Sequence, residues 1–592
     1  MLIRELRGSV METAAGGAET RSYDSCGTGE NALRIVYLTV GGTDISADLG
    51  LGCESCSFGK CRLHLDAFDG DETVADPLEF RLLKDTVAGA DLLIINMHGD
   101  PSGYKRYDQL KAFVEENGIN TFLMCFMAES MREAASLFTG SAEEYRMLRS
   151  YLSIGGEINR ASLLRYICSV YGGSGIPADP PVRERMQGLY HPRMDRGIGM
   201  DDYLKTLDPD KPAVGVVIGQ PSWVNRHTEP HDMLIGCIES LGACTIPVFT
   251  SVTPDEISGS DGIRKVFETY FYHNGKRLVD SVVLCGFGFS TLALGNPGDG
   301  SGEPAGNFFM DLDVPVLASL ALFRPRKEWE KDGIGMEGGE LCISVAMPEV
   351  DGQLTTVPFI FNEKDESGRP YTSFVPDRIR RIAEMAVRWA KTGRSPVKDR
   401  KVSILLNASS MTNSSIGEAG GLDSLESVAV LLKRMKAEGY TIDHVPSGGR
   451  ELIDELLDNV TDDLESVSDE FIERKAAGFV SLEKYLEWMD RESSSYREWV
   501  CRDWGEPAGE IMTLKNRFIV PGVINGNVFI GYEPARGKHE MAGTLIHDPD
   551  LSPPHSYLSY YRWISEIFGT DIHIHIGTHG SAEWLPGKGN GL

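Results

Sequence analysis

Short runs of apolar and β-branched residues recur along the chain, typically ending in glycine or polar residues, which is the pattern of buried strands in parallel sheets. Between them, apolar residues recur at the three- and four-residue spacing of amphipathic helices. Predicted strands cover residues 33–40, 91–96, 121–126, 213–218, 245–249, 281–285, 314–317, 401–406, 527–532 and 571–576. Predicted helices cover residues 107–116, 143–151, 159–171, 231–241, 376–391, 424–438 and 557–568. This alternation predicts an α/β protein with several doubly wound parallel-sheet units and helical insertions.

The chain has 592 residues, which is more than one hydrophobic core holds, because cores stop growing at about 250–300 residues. Proline and glycine clusters between the predicted elements mark the boundaries. We predict a polar N-terminal extension (1–31), a first α/β domain (32–176), a second α/β domain (182–362), a third α/β and helical domain (376–500) and a final region (501–592).

The charge balance narrows the classes of partner. The chain carries 87 acidic and 58 basic residues, for a formal net charge of −29. Such a surface repels phosphate backbones and anionic lipids, so we expect no nucleic-acid partner. Residues 451–473 are especially acidic, and a charge run of this kind is usually a solvated helical face.

The distribution of apolar residues and cysteines predicts the compartment. No apolar run reaches the roughly 18–20 residues that span a bilayer, and residues 1–31 lack the apolar segment of a secretory signal. We therefore expect no membrane span. Eleven cysteines without paired spacing fit a reducing compartment, so the predicted location is cytoplasmic.

One cysteine group has a spacing that occurs at metal sites. Cys53, Cys56, Cys61 and His64 form C-x2-C-x4-C-x2-H, which would suit zinc or an iron–sulfur cluster. The alternative is that the cysteines are small buried hydrophobic residues. Spacing alone leaves both interpretations open.

The densest chemistry lies at residues 571–590. Side chains alternate along a strand, so His573 and His575 share one face of the predicted strand 571–576. His579 follows within a glycine-rich turn, and Glu583 lies four residues later. We expect His573, as a lone strand histidine, to bond to the protein. His575, His579 and Glu583 are candidate ligands for a divalent metal and candidate acid/base groups, so a metal-dependent hydrolase is one alternative.

The sequence contains no nucleotide-binding signature. No G-x-x-x-x-G-K-[ST] occurs, and GFGFST at 286–291 lacks the third glycine of a dinucleotide fingerprint. We therefore expect that the chain itself does not bind ATP.

Three motifs occur in a fixed order before and within the terminal cluster: GNVFIGYEPARG at 526–537, HDPDLSPPHSYLSYYRW at 547–563 and HIGTHGSAEWLPGK at 575–588. Their order resembles the large, tetrapyrrole-binding (H-type) subunit of the CobN/magnesium chelatase family. Shorter matches lie upstream: GGEIN at 155–159, GLYHP at 188–192, AMPEVDG at 346–352, PDR at 376–378 and IGEAGGLD at 416–423. The resemblance therefore extends along nearly the whole chain from residue 33.

The resemblance implies an ATP-dependent ligase that inserts a divalent metal into a tetrapyrrole, in cobalamin or related biosynthesis. It implies that cobalt or magnesium is the metal substrate, and we favour cobalt. It also implies that ATP is used by partners, an AAA+ ATPase subunit and its companion. Residues 501–592 would begin the tetrapyrrole and metal-site domain.

The resemblance also implies roles for single residues. His575, His579 and Glu583 would accept the pyrrole protons and deliver the ion. Arg536 and Lys588 would pair with carboxylates on the ring. The residues expected to contact the tetrapyrrole are Glu533, Arg536, His555 and Lys588. Glu533 stands where family members usually carry glutamine.

Family members continue through a long C-terminal region after the Pro-Gly-Lys step. We therefore expect the chain to correspond to the N-terminal part of such a subunit, with a separate C-terminal half as a further partner. The alternative is a truncated, non-catalytic protein that binds tetrapyrrole or acts as a scaffold.

Overall fold

The structure, a computed structural model, describes residues 32–40, 54–58, 60–97, 100–125, 128–195, 197–286, 308–364, 370–408, 412–465, 467–537, 545, 548–578 and 580–590. The predicted N-terminal extension, 1–31, lies outside these residues. The chain divides into two compact units, Met1–Glu184 and Arg185–Leu592.

The first unit is built on a five-stranded sheet of order β2-β3-β1-β4-β5. All its strand pairs are parallel except the β2–β3 hairpin. Apolar side chains fill both faces of β1 and β4, as expected for a sheet covered by helices on both sides. The strands are β1 Ala32–Val40, β2 Glu54–Phe58, β3 Cys61–Asp69, β4 Leu92–Met97 and β5 Thr121–Met124. The helices are α1 Gly70–Ala75, α2 Pro77–Val87, α3 Tyr107–Asn117, α4 Ala128–Ala134, α5 Ala142–Ile154 and α6 Glu157–Val170.

The second unit begins with a seven-stranded sheet of order β14-β13-β12-β11-β7-β8-β6, whose five inner strands are parallel. The strands are β6 Gly188–Leu189, β7 Ala213–Gly219, β8 Cys244–Thr250, β9 Tyr272–His273, β10 Lys276–Arg277, β11 Ser281–Cys285, β12 Val316–Leu322, β13 Leu354–Lys364 and β14 Pro370–Phe374. Strands β9 and β10 form a separate hairpin. The helices are α7 Met200–Leu204, α8 Gln220–Val224, α9 Glu229–Ser240, α10 Gly262–Tyr270, α11 Phe308–Leu312, α12 Arg326–Lys331, α13 Gly338–Leu341, α14 Met347–Val350 and α15 Pro376–Arg394.

Helix α15 starts with Pro376, which suits a first helical turn because its missing N–H has no partner there. Its buried residues Ile379, Ile382, Ala383, Ala386, Val387 and Ala390 follow the spacing of one helix face. That face packs into the core of the seven-stranded sheet beside α9. The helix that the sequence analysis places at the start of the third domain thus covers the sheet before it.

A four-stranded sheet of order β19-β20-β15-β21 and a three-stranded antiparallel sheet of order β16-β18-β17 complete the second unit. The strands are β15 Val402–Leu406, β16 Gly478–Ser481, β17 Thr513–Leu514, β18 Arg517–Val520, β19 Val523–Asn525, β20 Val528–Tyr532 and β21 Ile572–Ile576. The helices are α16 Ser424–Ala437, α17 Gly449–Leu457, α18 Asp469–Lys475, α19 Leu482–Met489, α20 Ser494–Trp504 and α21 His555–Arg562. A π-helical segment, Trp563–Phe568, continues α21.

Strand β15 pairs in parallel with both β20 and β21. Residues from the predicted third domain, 376–500, and from the final region, 501–592, therefore build one sheet. The α/β class with several parallel sheets is confirmed. Among the described residues, no helix is both long and apolar enough to cross a bilayer.

The acidic segment 451–473 differs from its prediction. It is not one solvated helical face, because α17 ends at Leu457 and α18 begins only at Asp469. The intervening turn carries Asp462 into the interior, where 4% of the residue is exposed. Polar turn formers such as Asn and Asp favour this break over a continuous helix.

Candidate functional site

The carboxyl ends of the three parallel strands β20, β15 and β21 meet at one edge of the four-stranded sheet. The chain leaves β15 to form β20 on one side and then crosses to form β21 on the other. Ligand sites in open α/β sheets occur where the strand order reverses in this way. The loop after β15 reaches the same edge, since the Gly420 N–H donates to Thr578 Oγ1 over 3.1 Å. The segment 416–423 is thereby brought against the motif at 575–588.

Glu533 is the first residue after β20, and it is buried at this edge with 3% of its surface exposed. Its backbone N–H donates to the Leu406 carbonyl, which holds it against β15. Its Oε1 accepts a hydrogen bond from the Ala582 N–H over 3.4 Å and lies 3.7 Å from Nδ1 of His575. The structure therefore brings Glu533 and His575, both sequence candidates, into one pair.

Gly580 makes room for the Glu533 carboxylate. A Cβ at this position would lie 2.9 Å from Glu533 Oε1, closer than side chains normally approach. The glycine-rich turn after β21 thus lets the terminal segment close over the carboxylate.

His573 and His575 lie on the same side of β21, as expected for residues two apart in a strand, with ring centroids 4.6 Å apart. Nδ1 of His573 is 2.6 Å from Ser403 Oγ. Although the residue is exposed at one side, desolvation by the surrounding protein atoms, with a smaller effect of His575, lowers the pKa of His573 to about 4. At neutral pH this ring is therefore neutral and hydrogen-bonded to the protein.

Tyr561 forms an aromatic wall beside both imidazoles. Its ring is nearly parallel to His575 at a centroid distance of 6.3 Å and at an angle to His573 at 5.9 Å. The spacing of Tyr560, Tyr561 and Trp563 predicts core residues, and Tyr560 and Trp563 are indeed buried. Tyr561 also faces the site, which helical spacing alone did not reveal. It lies shortly before the π-helical segment begins, and π-bulges are frequent at functional sites.

Asp462 is a buried carboxyl group near this edge that the sequence analysis did not identify. Neither of its carboxylate oxygens has a hydrogen-bond partner among the described residues. Burial is the main cause that raises its pKa to about 7. Its charge influences Tyr532 and Tyr560, which pack at the end of β20. Perturbed carboxyl groups of this kind cluster at functional sites, and only the burial, not the sequence, revealed it.

The remaining predicted catalytic residues, His579 and Glu583, follow β21 in the sequence. His579 is outside the described residues. Glu583 lies in the 3₁₀ turn Ser581–Trp584 and is exposed. The turn is 3₁₀ rather than α-helical, and the Glu583 N–H donates to the Gly580 carbonyl at 3.1 Å, the i to i+3 bond of such a turn.

Arg536 is buried, with 1% of its surface exposed, and its guanidinium is surrounded by carbonyl groups. It donates to the carbonyls of Asp548, Leu551 and Trp584 at 3.1, 2.6 and 2.7 Å. Burial lowers its pKa. In this structure the charge joins three loops of the site and does not face an open surface.

Lys588 is held in a similar way. Its ammonium donates to the carbonyls of Trp329 and Asp332 and lies 4.3 Å from the centre of the Trp329 ring. Arg378 also contacts that ring, at 4.4 Å. Burial lowers the pKa of Lys588. The neighbouring Asn590 pairs with residues 334–336 through backbone hydrogen bonds of 2.7 and 2.9 Å. The Pro-Gly-Lys step thus anchors the terminal segment.

His555, the first residue of α21, is likewise engaged by the protein. Nε2 lies 2.9 Å from the Gly505 carbonyl, so Nε2 carries the proton and Nδ1 accepts from the Tyr485 hydroxyl at 2.7 Å. Burial lowers the pKa of this histidine. These two contacts of the ring hold the start of α21, the helix that carries Tyr561.

The cysteine group lies in the first unit. Cys53 is outside the described residues, and the side chain of Cys56 is not described. Cys61 is buried in the apolar core of the five-stranded sheet. His64 is three residues further along β3, so it points to the opposite face, where Nε2 lies 3.3 Å from Asp66. Cys61 and His64 are therefore not directed toward one ion.

Comparison with known proteins agrees with the ordered motifs. The chain is 35% identical to the uncharacterized protein MJ0908 of Methanocaldococcus jannaschii over 75% of this chain and 36% of that protein. It is 28% identical to the aerobic cobaltochelatase CobN protein of Pseudomonas aeruginosa, covering 86% of this chain and 40% of the relative. It is also 28% identical to the H-type subunit of magnesium chelatase from Rhodobacter capsulatus, covering 90% of this chain and 44% of that subunit. The chain thus spans less than half the length of these relatives.

The fold agrees with a solved structure, the catalytic subunit of cobaltochelatase from Mycobacterium tuberculosis. The TM-score is 0.60 at 25% identity, over 95% of this chain and 44% of that one. Residues 149–592, about three quarters of the chain, match the CobN/Magnesium Chelatase family. The edge formed by β15, β20 and β21 lies wholly within the matched region. The chain therefore belongs to the CobN/magnesium chelatase family.

Proposed function

We propose that the chain is part of the tetrapyrrole-binding subunit of an ATP-dependent chelatase, which inserts a divalent metal into a tetrapyrrole. The observation that carries this proposal is the Glu533 and His575 pair, with Oε1 and Nδ1 3.7 Å apart at the edge of a parallel sheet. Family membership supplies the reaction class, and this pair supplies groups that suit it.

Metal insertion requires that the ring lose two pyrrole protons while the incoming ion loses water. A carboxylate and an imidazole are suitable proton acceptors, and both become ligands for a passing ion once they are deprotonated. Tyr561 beside His575 supplies an aromatic surface on which a flat macrocycle can stack. We propose that Glu533 and His575 accept the protons, and that His579 and Glu583 complete the path of the ion.

For the cations we propose positioning roles. Arg536 and Lys588 donate to protein carbonyls, so their charges hold the loops that surround Glu533 and His575. His555 supports the helix that carries Tyr561. Ring carboxylates would then be bound by groups of the partner subunits or of the part of such a subunit that the chain does not span.

Energy from ATP would come from an AAA+ ATPase subunit and its companion, because the chain has no P-loop sequence. Cobalt remains our preferred metal substrate. The cobaltochelatase and magnesium-chelatase relatives are equally identical to the chain, at 28%, so the metal requires a direct test.

The first test is an absorbance titration of the chain with a metal-free porphyrin and a metal-free corrinoid. We expect binding to shift the absorbance spectrum of the ring, and we expect His575→Ala to lower the binding affinity at least tenfold. The substitution removes a base of the site and the imidazole that lies beside the Tyr561 ring. His227→Ala, which removes an exposed histidine elsewhere in the same unit, should leave the titration unchanged. No spectral change with any wild-type mixture would overturn the proposal.

The second test adds the ATPase partners, ATP and either Co²⁺ or Mg²⁺, and follows the metallated product. Product with one ion and not the other identifies the metal. Ring binding without product under all conditions would favour a scaffold over a catalyst. Ester or amide hydrolysis without ATP would favour a metal-dependent hydrolase.

A further inference from the structure

A second group of metal-ligand side chains lies outside the site described above. Nε2 of His444 is 3.4 Å from Oε1 of Glu451 and 2.8 Å from Oε1 of Glu455. One ligand atom from each residue lies within 4.8 Å of the other two. In the part of the chain that the structure describes, no other three metal-ligand side chains approach so closely. The three side chains are 54, 42 and 33% exposed, so an ion from solution can reach them.

Local structure positions these groups. Glu451 and Glu455 are one turn apart in α17, so they share a helix face. His444 lies before that helix, and the Asn525 side chain clamps its backbone by accepting its N–H at 2.9 Å and donating to its carbonyl at 2.7 Å. Glu451 Oε2 accepts the Ser447 N–H at 2.7 Å, which leaves Oε1 toward the imidazole.

The group borders a cavity of about 210 Å³ between α17 and the strands β19 and β20. His444 and Glu455 belong to its lining, together with Asp443. The other walls are mainly apolar side chains: Leu452, Leu456, Val523, Ile524 and Ile530. The cavity leaves open space beside two of the three side chains, His444 and Glu455, in which water bound to an ion can lie.

We propose that His444, Glu451 and Glu455 form a binding site for a divalent transition metal such as Zn²⁺ or Co²⁺. One imidazole and two carboxylates suit these ions better than Mg²⁺, which prefers oxygen ligands alone. Ligand atoms about 2.0–2.2 Å from zinc at tetrahedral angles lie about 3.4 Å from one another. The distance from His444 Nε2 to Glu451 Oε1, 3.4 Å, equals this value. The distance to Glu455 Oε1, 2.8 Å, is shorter, and rotation of the Glu455 carboxylate would lengthen it.

This site is separate from the proposed chelatase site. Asn525, which clamps His444, ends β19 just before the turn into β20, whereas Glu533 follows the far end of β20. A metal held here would brace α17 against β19 and leave the Glu533 and His575 edge open. The proposal therefore does not rest on the proposed function.

The test is a Co²⁺ titration of the metal-free full chain, read by visible absorption and by competition with a chromophoric chelator, and repeated with Zn²⁺. We expect a binding event that His444→Ala abolishes and Glu451→Gln weakens at least tenfold. His227→Ala, which removes an exposed histidine, is the control and should bind the metal like wild type. His575→Ala should also retain metal binding at His444, even if it removes a second binding event at the sheet edge.

Far-UV circular dichroism checks that each variant is folded. Glu455→Gln, which keeps the shape of the side chain, provides a second variant if His444→Ala is unfolded. Equal affinity in wild type and the folded variants, or no binding by wild type, would overturn the proposal. The result is independent of tetrapyrrole binding, so this proposal and the chelatase proposal can fail separately.

Discussion

The Glu533 carboxylate and the His575 imidazole face each other at the edge of the four-stranded sheet, with Oε1 3.7 Å from Nδ1. Glu533 follows β20 and His575 lies in β21, and these two strands do not pair with each other but flank β15 on opposite sides. The sheet order therefore creates the pair, and the turn after β21 closes over it.

Replacement of Gly580 by alanine should disturb this pair. The new Cβ would meet Glu533 Oε1 at 2.9 Å, so the carboxylate must move and the hydrogen bond from the Ala582 N–H should be lost. We expect hydrogen exchange at Ala582 to accelerate about tenfold, which corresponds to about 1.4 kcal/mol, and porphyrin affinity to fall. Gly587→Ala is the matched control, because its Cβ would meet nothing within 4 Å. Unchanged exchange in Gly580→Ala would contradict this account.

Lys588→Met should loosen the terminal segment. The substitution keeps an apolar stem but removes two hydrogen bonds to carbonyls and the contact with Trp329. We expect about 1–3 kcal/mol less protection against hydrogen exchange at Asn590 and Met336. The control is Lys484→Met, which removes an exposed lysine that pairs with Glu487 and lies over Trp488. If Lys588→Met alters porphyrin affinity while protection is unchanged, direct contact with the ring is the better explanation.

Asp462→Asn should stabilise the protein above neutral pH. The folded carboxyl keeps its proton up to a pKa of about 7, whereas the unfolded one releases it near 3.8. At pH values between about 4 and about 7 the protein therefore takes up a proton when it folds. The free energy of unfolding consequently falls as pH rises through this range. The variant should gain up to about 4 kcal/mol at pH 8 and little at pH 4. Hydrogen exchange of β15 and β20, corrected for intrinsic rates, measures the difference; an equal effect at both pH values would refute the assignment.

His231 in α9 should make the second unit sensitive to acid. Burial lowers its pKa from 6.5 to about 4, so the unfolded chain binds a proton that the folded chain does not. The associated stability is complete above pH 6.5 and is lost as pH falls toward 4, by about 2 kcal/mol at pH 5. His231→Leu should remove this part of the pH dependence of the free energy of unfolding, as measured by urea unfolding between pH 7.5 and 5. The exposed His227→Leu should retain it.

Much of the fold follows from local patterns. The apolar run before Gly41 becomes β1, and the helical spacing after Pro376 becomes α15, since both depend on residues that are neighbours in sequence. The segment 451–473 was predicted wrongly, because a turn that buries Asp462 separates α17 from α18. Charge runs alone do not reveal such burial.

The sequence alone determined the family, the α/β class and the candidates His575 and Glu533, because ordered motifs and side-chain periodicity are properties of the linear chain. Only the tertiary structure decided which partners the polar groups have. Arg536, Lys588 and His555 bond to protein groups far away in sequence, and His444 meets two glutamates beside a cavity. The physical reason is that hydrogen bonds, burial and ion binding depend on distance in space, which strand order and loop closure set.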